Sequence, residues 1–149
     1  MNKEYKWSSL VQLFSYMALL GFVASLVVHA VGLMGNENPF SWNPMFLHIG
    51  VLVVGFPTAI LSKQLNSGYH EKSVLKNILR GCPQWMEKGV KVVFVYGLFN
   101  FVLFSLLKET GVMEGSAAQR FSGHWLIFYY AEFAILHSYT QIAKSDTLR

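Results

Sequence analysis

Between Leu10 and Met34 the chain runs 25 residues without an Asp, Glu, Lys or Arg. About 20 apolar residues suffice to carry a helix across a bilayer. A soluble helix of that length would have charged one face and buried the other. A secretory signal peptide would have a shorter apolar core and a small-residue cleavage site, and neither is evident. The run therefore reads as a retained membrane span. Three more follow: about 44–62 with Pro57 inside, about 89–107, and about 121–143 with a single acid, Glu132. Each reads as a helix, because a lone strand would leave its backbone unpaired in lipid. A closed barrel needs at least about eight alternating strands, and these runs do not alternate.

Composition agrees. Charged residues are 13% of the 149-residue chain, against about 25% in an ordinary soluble domain. A chain this short has much surface per unit volume and needs charge to stay in solution. A soluble enzyme, a disordered tail and a nucleic-acid-binding domain are excluded, despite the net charge of +4. The expected fold is all-α: one transmembrane domain, an integral membrane four-helix bundle with short connections. The lipid bilayer is then its first partner, and no nucleic acid is expected.

The basic residues give an orientation. Lys3 and Lys6 precede the first span. Lys63, Lys72, Lys76, Arg80, Lys88 and Lys91 lie between or flank spans two and three. Lys144 and Arg149 follow or close the fourth. Only Lys108 and Arg120 fall on the other side, and the loop 35–43 has neither residue type. By the positive-inside rule both termini and the loop 63–88 are cytoplasmic, as in a bacterial inner (plasma) membrane. Trp7 and Trp85 near inner ends, and Trp42 and Trp125 near outer ends, suit an aromatic belt. Within the loop, Glu71 to Arg80 alternates Val74, Leu75, Ile78 and Leu79 with Lys72, Lys76 and Arg80. This predicts a short amphipathic helix on the anionic leaflet. The single cysteine, Cys82, cannot form an internal disulfide and belongs to no CxxC pair.

Polar residues inside a membrane are expensive and usually face the bundle interior. His29, His48 and His124 each fall about 5–8 Å below the outer boundary, at 1.5 Å of rise per residue. Helical phase gives each a face with small residues: Ser15, Ala18, Ser25 and Gly32 with His29, and Gly55, Ala59 and Ser62 with His48. Small faces mark close helix approach. His124 shares a sector with Ala131 and Glu132, and Ser122 two residues before it is expected to cap the start of the span. Glu132 lies near mid-membrane, where Asn100 and Tyr96 of span three are its expected partners, for a proton relay or an interhelical hydrogen bond. His137 falls on the other side of span four, near its inner end.

The leading specific expectation is one haem b near the outer leaflet, carrying an electron. His124 and either His29 or His48 would be its axial ligands, and Arg120 would pair with a propionate. A second is a zinc or copper site on His29, His48 and His124, or ion or proton transport by a homo-oligomer. The third has no cofactor. The histidines hydrogen-bond between helices, and the chain is a non-catalytic membrane subunit or assembly factor with a membrane-protein partner. No P-loop, GxSxG elbow, HExxH or paired-acid motif is present, so any catalysis would have to arise in the membrane.

Overall fold

The computed structural model describes residues 3–34, 43, 45–67, 74–109 and 117–147, all helix or short turn, with no strand among them. Five helices follow in order: α1 Lys3–Leu33, α2 Met45–Asn66, α3 Val74–Ile78, α4 Gln84–Glu109 and α5 Ala117–Thr147. Stretches of α1, α2 and α4, Ser9–Leu33, Met45–Asn66 and Gln84–Leu106, are long and apolar enough to cross a membrane. The protein is a membrane protein by that measure. α5 has the length, at 31 residues, but its sequence is broken by Ser122, His124, Glu132, His137 and Ser138.

The packing explains why α5 can be the most polar of the long helices. It lies against α1, α2, α3 and α4, whereas α2 also touches α1. α4 is packed on α5 and, among the described residues, makes no backbone approach to α1 or α2. Outward faces are apolar instead: Leu20, Leu52, Phe56, Val92 and Phe99 are all exposed. In water such faces would be an aggregation surface; in lipid they need no partner.

Two apolar clusters join α1, α2 and α5. Val11, Ala18, Val54 and Leu136 pack at the end that holds the termini. Val28, Leu47, Trp125 and Tyr129 pack at the opposite end. The pairing of Val11 with Leu136 and of Val28 with Trp125 makes α1 and α5 antiparallel. A third cluster, Leu79, Met86 and Ala134, fixes α3 and the start of α4 onto α5.

Helix ends depart from the sequence expectation where capping outweighs hydropathy. Asn43 accepts a hydrogen bond from the Met45 amide at 2.9 Å and starts α2. α2 then continues past the expected end at 62 to Asn66, because Arg80 donates to the Leu65 carbonyl at 3.2 Å and Asn77 donates to Asn66 at 3.1 Å. α4 begins at Gln84 rather than near 89, directly after Pro83, whose missing amide costs a helix start nothing. α5 begins at Ala117, not 121, so Arg120 belongs to the helix and Ser122 is not a cap. The amphipathic helix expected over Glu71 to Arg80 is only five residues, α3, and residues 71–73 lie outside the described ones. Its Ile78 and the following Leu79 face protein, and Val74 and Leu75 face outward.

Candidate functional site

α5 carries large side chains that seat on glycines of its neighbours. The ring of Tyr129 occupies the space a Cβ would need at Gly21 of α1, and its hydroxyl does the same at Gly50 of α2. That hydroxyl donates to the Leu47 carbonyl at 2.8 Å. Tyr129 thus wedges α1 and α2 onto α5 at one level. On the α4 side, a Cβ at Gly123 would lie 2.5 Å from Asn100 Oδ1, so helix α4 approaches α5 closely there.

The predicted polar residues fall into three groups. His29 of α1 is 3% exposed. Its Nδ1 shares a hydrogen bond with Ser122 Oγ at 2.7 Å, and its Nε2 shares one with Tyr96 Oη at 2.5 Å. A neutral imidazole has one N–H and one lone pair, and both are engaged. His29 therefore joins α1 to both α5 and α4, and it is the one described link between α1 and α4. Tyr96, expected near Glu132, is on His29 instead.

The second group is a set of rings at the same end of the bundle. His48 of α2 and His124 of α5 have centroids 5.2 Å apart. Trp125 lies edge-on to His48 at 4.9 Å and 5.5 Å from His124. Phe128 stands 6.1 Å from His124. Trp125 is 1% exposed. It is a core residue, not the lipid-facing belt residue expected from its position, because it points between α1 and α2. Trp85 is exposed, as a belt residue would be. Trp7 and Trp42 lie outside the side chains described.

Glu132 is the third group. It is 5% exposed, and a Cβ at Gly55 of α2 would sit 2.9 Å from its Oε1. Its Oε2 has no partner among the described residues. Asn100 lies against Gly123, nine residues along α5 and so about 13 Å from Glu132 at 1.5 Å per residue. It is not the partner the sequence suggested. His137 is half-buried beside Phe133, at 6.1 Å.

These distances bear on cofactors. Two imidazoles on opposite faces of a haem iron hold their ring centres about 6 Å apart, from a metal–nitrogen bond near 2 Å and each ring's half-width. His48 and His124 are closer than that and tilted by 46°. Two ligands of one tetrahedral ion stand about 5 Å apart, so this pair is the one that could hold zinc or copper. Among the described residues no group of three His, Cys, Asp or Glu is arranged around a metal position. The side chain of Arg120 lies outside those described.

Two residues outside the sequence-based set prove central. Ser122 was expected to cap a helix, and Tyr129 was not singled out at all. The only trace of Tyr129 in the sequence was the pair of glycines, Gly21 and Gly50, that its ring and hydroxyl cover. Below this layer, the loop before α4 is tied to α5. The Gly81 amide donates to Ser138 Oγ at 3.0 Å, and Cys82 Sγ donates to the Ala134 carbonyl at 3.1 Å. Burial pushes the Cys82 thiol up to about 11, against a smaller lowering effect of the nearby Ser138.

No protein-family model, no curated protein and no solved structure matches this chain.

Proposed function

We propose that this chain is a four-span integral membrane protein, with α5 as the fourth span and both termini cytoplasmic. Its role is that of a non-catalytic membrane subunit or assembly factor of a larger complex. The observation that carries this reading is the engagement of His29 at both nitrogens, by Ser122 and Tyr96. The most buried histidine of the polar layer serves to hold three helices together, and a ligand role would break two interhelical hydrogen bonds. The charge asymmetry supports the orientation, with ten of twelve basic residues on the side of the termini.

The test begins with the visible spectrum and metal content of the detergent-purified protein. A colourless preparation without stoichiometric metal is expected. A Soret band lost in His124→Ala would overturn the reading in favour of haem b. Zinc or copper at one per chain, lost in His48→Ala and His124→Ala, would overturn it in favour of a metal protein. Reporter fusions check the topology. Fusions within 35–43 and 110–116 should report the outer side, and those within 68–73 and at the C-terminus the cytoplasm. In native nanodiscs the particle should contain more protein than the 16.9 kDa chain; a lone monomer would argue against a subunit role.

A further inference from the structure

Among the described residues Glu132 is the one buried acid, and its carboxyl lies against Gly55, at the midpoint of α2. A carboxyl in a dry interior is costly unless hydrogen bonds or a countercharge satisfy it. Its Oε2 has no partner among the described residues. The titratable groups on the surrounding elements are engaged elsewhere or distant. His29 of α1 and Tyr96 of α4 are bonded to each other, and Tyr16 of α1 is exposed. On α2, His48 packs on the rings at the outer end, and Lys63 is eight residues beyond Gly55, about 12 Å along the axis. Lys91 of α4 is paired with Glu87 at 2.8 Å, and Lys76 lies on α3 at the end near the termini. On α5 itself, Tyr129 donates to the Leu47 carbonyl and Tyr130 seats on Gly89. Tyr139 packs with the cluster of Val11 and Leu136. His137 stands about 140° round the helix from Glu132, beside Phe133. The Cys82 thiol donates to the Ala134 carbonyl. A glutamine would fill the same space with the same packing. What the acid adds is a proton that can leave.

The helix that covers the carboxyl is weakest at that level. Pro57 has no N–H, so α2 lacks the ladder bond to the Val53 carbonyl. Thr58 donates from Oγ1 to the Val54 carbonyl at 2.8 Å, a back-bond that weakens and bends helices. Both residues fall within one turn of Gly55. On either side of this stretch α2 is tied down. The Leu47 carbonyl accepts from Tyr129, and the Leu65 carbonyl accepts from Arg80. The described side-chain hydrogen bonds between those ties, from Thr58 and Ser62, stay within α2.

We propose that Glu132 is a reversible proton-binding site, opened to water by flexing of α2 about Pro57. With α2 closed on it, the side chain is the neutral acid. When α2 bends away and water enters, the Glu132 O–H bond breaks. The proton passes to a water molecule as hydronium, and the carboxylate remains. Closure takes the proton back, because the dry seat offers the anion no countercharge among the described residues. Proton uptake is thereby coupled to the shape of α2. The inference rests on the four-span reading for the depth of Glu132, and it adds proton handling to a subunit role.

Infrared difference spectra of the full chain in phospholipid nanodiscs, wild type against Glu132→Gln, test it. At neutral pH the wild type should show the C=O stretch of one protonated carboxyl, absent from Glu132→Gln, since exposed carboxyls are ionised there. The band should shift within minutes of transfer to deuterium oxide. It should vanish reversibly as the pH is raised from about 5 to about 10. Pro57→Ala restores one ladder hydrogen bond and should slow the deuterium shift about tenfold. A band that neither shifts nor titrates marks a packing residue and overturns the proposal. Absence of the band at every pH overturns it too, as does equal exchange in the wild type and Pro57→Ala. Should Pro57→Ala fail to fold, Thr58→Val removes the back-bond alone and carries the same expectation of slower exchange. Reporter fusions and the composition of the native particle test the four spans and the subunit role separately, so their failure is distinct from failure here.

Discussion

The phenol of Tyr129 stands where a side chain at Gly50 would have to stand. The same ring covers Gly21 on the other neighbouring helix. Tyr129 is buried and donates to Leu47, so it cannot swing away freely. Gly21→Val and Gly50→Val are each expected to destabilise the bundle by about 1–3 kcal/mol, the range for overpacking a filled core. Tyr129→Phe keeps the wedge and removes only the hydrogen bond, at about 1 kcal/mol. Unfolding free energies in detergent micelles check both. A Gly50→Val protein as stable as the wild type would mean that α2 does not rest on Tyr129.

His29 and Tyr96 are expected to be coupled. Among the described residues α4 meets the other long helices through α5 and through this hydrogen bond to α1. In a double-mutant cycle of His29→Leu and Tyr96→Phe, the interaction energy should fall at about 0.6–1.7 kcal/mol, the range for interhelical hydrogen bonds in membranes. Ser122→Ala should couple to His29→Leu in the same range. Additive effects in both cycles would remove His29 as a three-helix link.

The contrast between these two sites shows what the sequence could and could not reveal. Three of the spans, those of α1, α2 and α4, were legible because hydropathy depends only on composition along the chain. The interior face of α1 was legible too, since Ser15, Ala18, Ser25 and His29 share one phase and are all buried. Depth was also readable, and it placed three histidines in one layer. Azimuth between helices was not readable. Whether His29 turns toward His48 or toward Tyr96 depends on which helices adjoin, and one span's phase says nothing about that. For the same reason Trp125 read as an interfacial anchor. Its depth suited a belt, but α5 is the central helix and has little lipid-facing surface. Ser122 was misread because the helix start was set by loss of hydropathy, whereas the helix itself runs four residues further back.

Cys82 offers a probe outside the spans. Its thiol is pushed up to about 11 from an ordinary value of 9.0, mainly by burial. The thiolate is the reactive form, so at a given pH below both values the folded protein should label about a hundredfold more slowly than a free thiol. Labelling should climb as pH rises toward 11. The stability consequence has a definite sign. The folded state holds its proton more tightly than the unfolded state, so this contribution is full below pH 9 and is lost as pH rises from 9 through 11. Maleimide labelling across that window, with and without denaturant, checks the rate. Equal rates in both would mean that the contact with Ala134 is not maintained.

Gly55 and Glu132 should behave as one unit. A Cβ at Gly55 would lie 2.9 Å from Glu132 Oε1, tighter than an ordinary contact, and the carboxyl has little room because the residue is buried. Gly55→Ala is therefore expected to destabilise by about 1 kcal/mol, the low end for overpacking, because the atom that must give way is the tip of a flexible side chain. Combined with Glu132→Ala, which removes the crowded atoms, the same substitution should cost much less, giving clear non-additivity. Glu132→Gln preserves shape and removes the ionisable proton, so it should fold and insert normally. With α5 as the proposed fourth span, Glu132→Lys places a fixed charge deep in the membrane, at a cost of about 2.5–3.5 kcal/mol on the insertion scale, and should lower the amount of protein inserted. Insertion yields and unfolding midpoints for the wild type and the five variants check the set. If Gly55→Ala costs the same with and without the carboxylate, Glu132 does not pack on α2, and its buried position needs another cause.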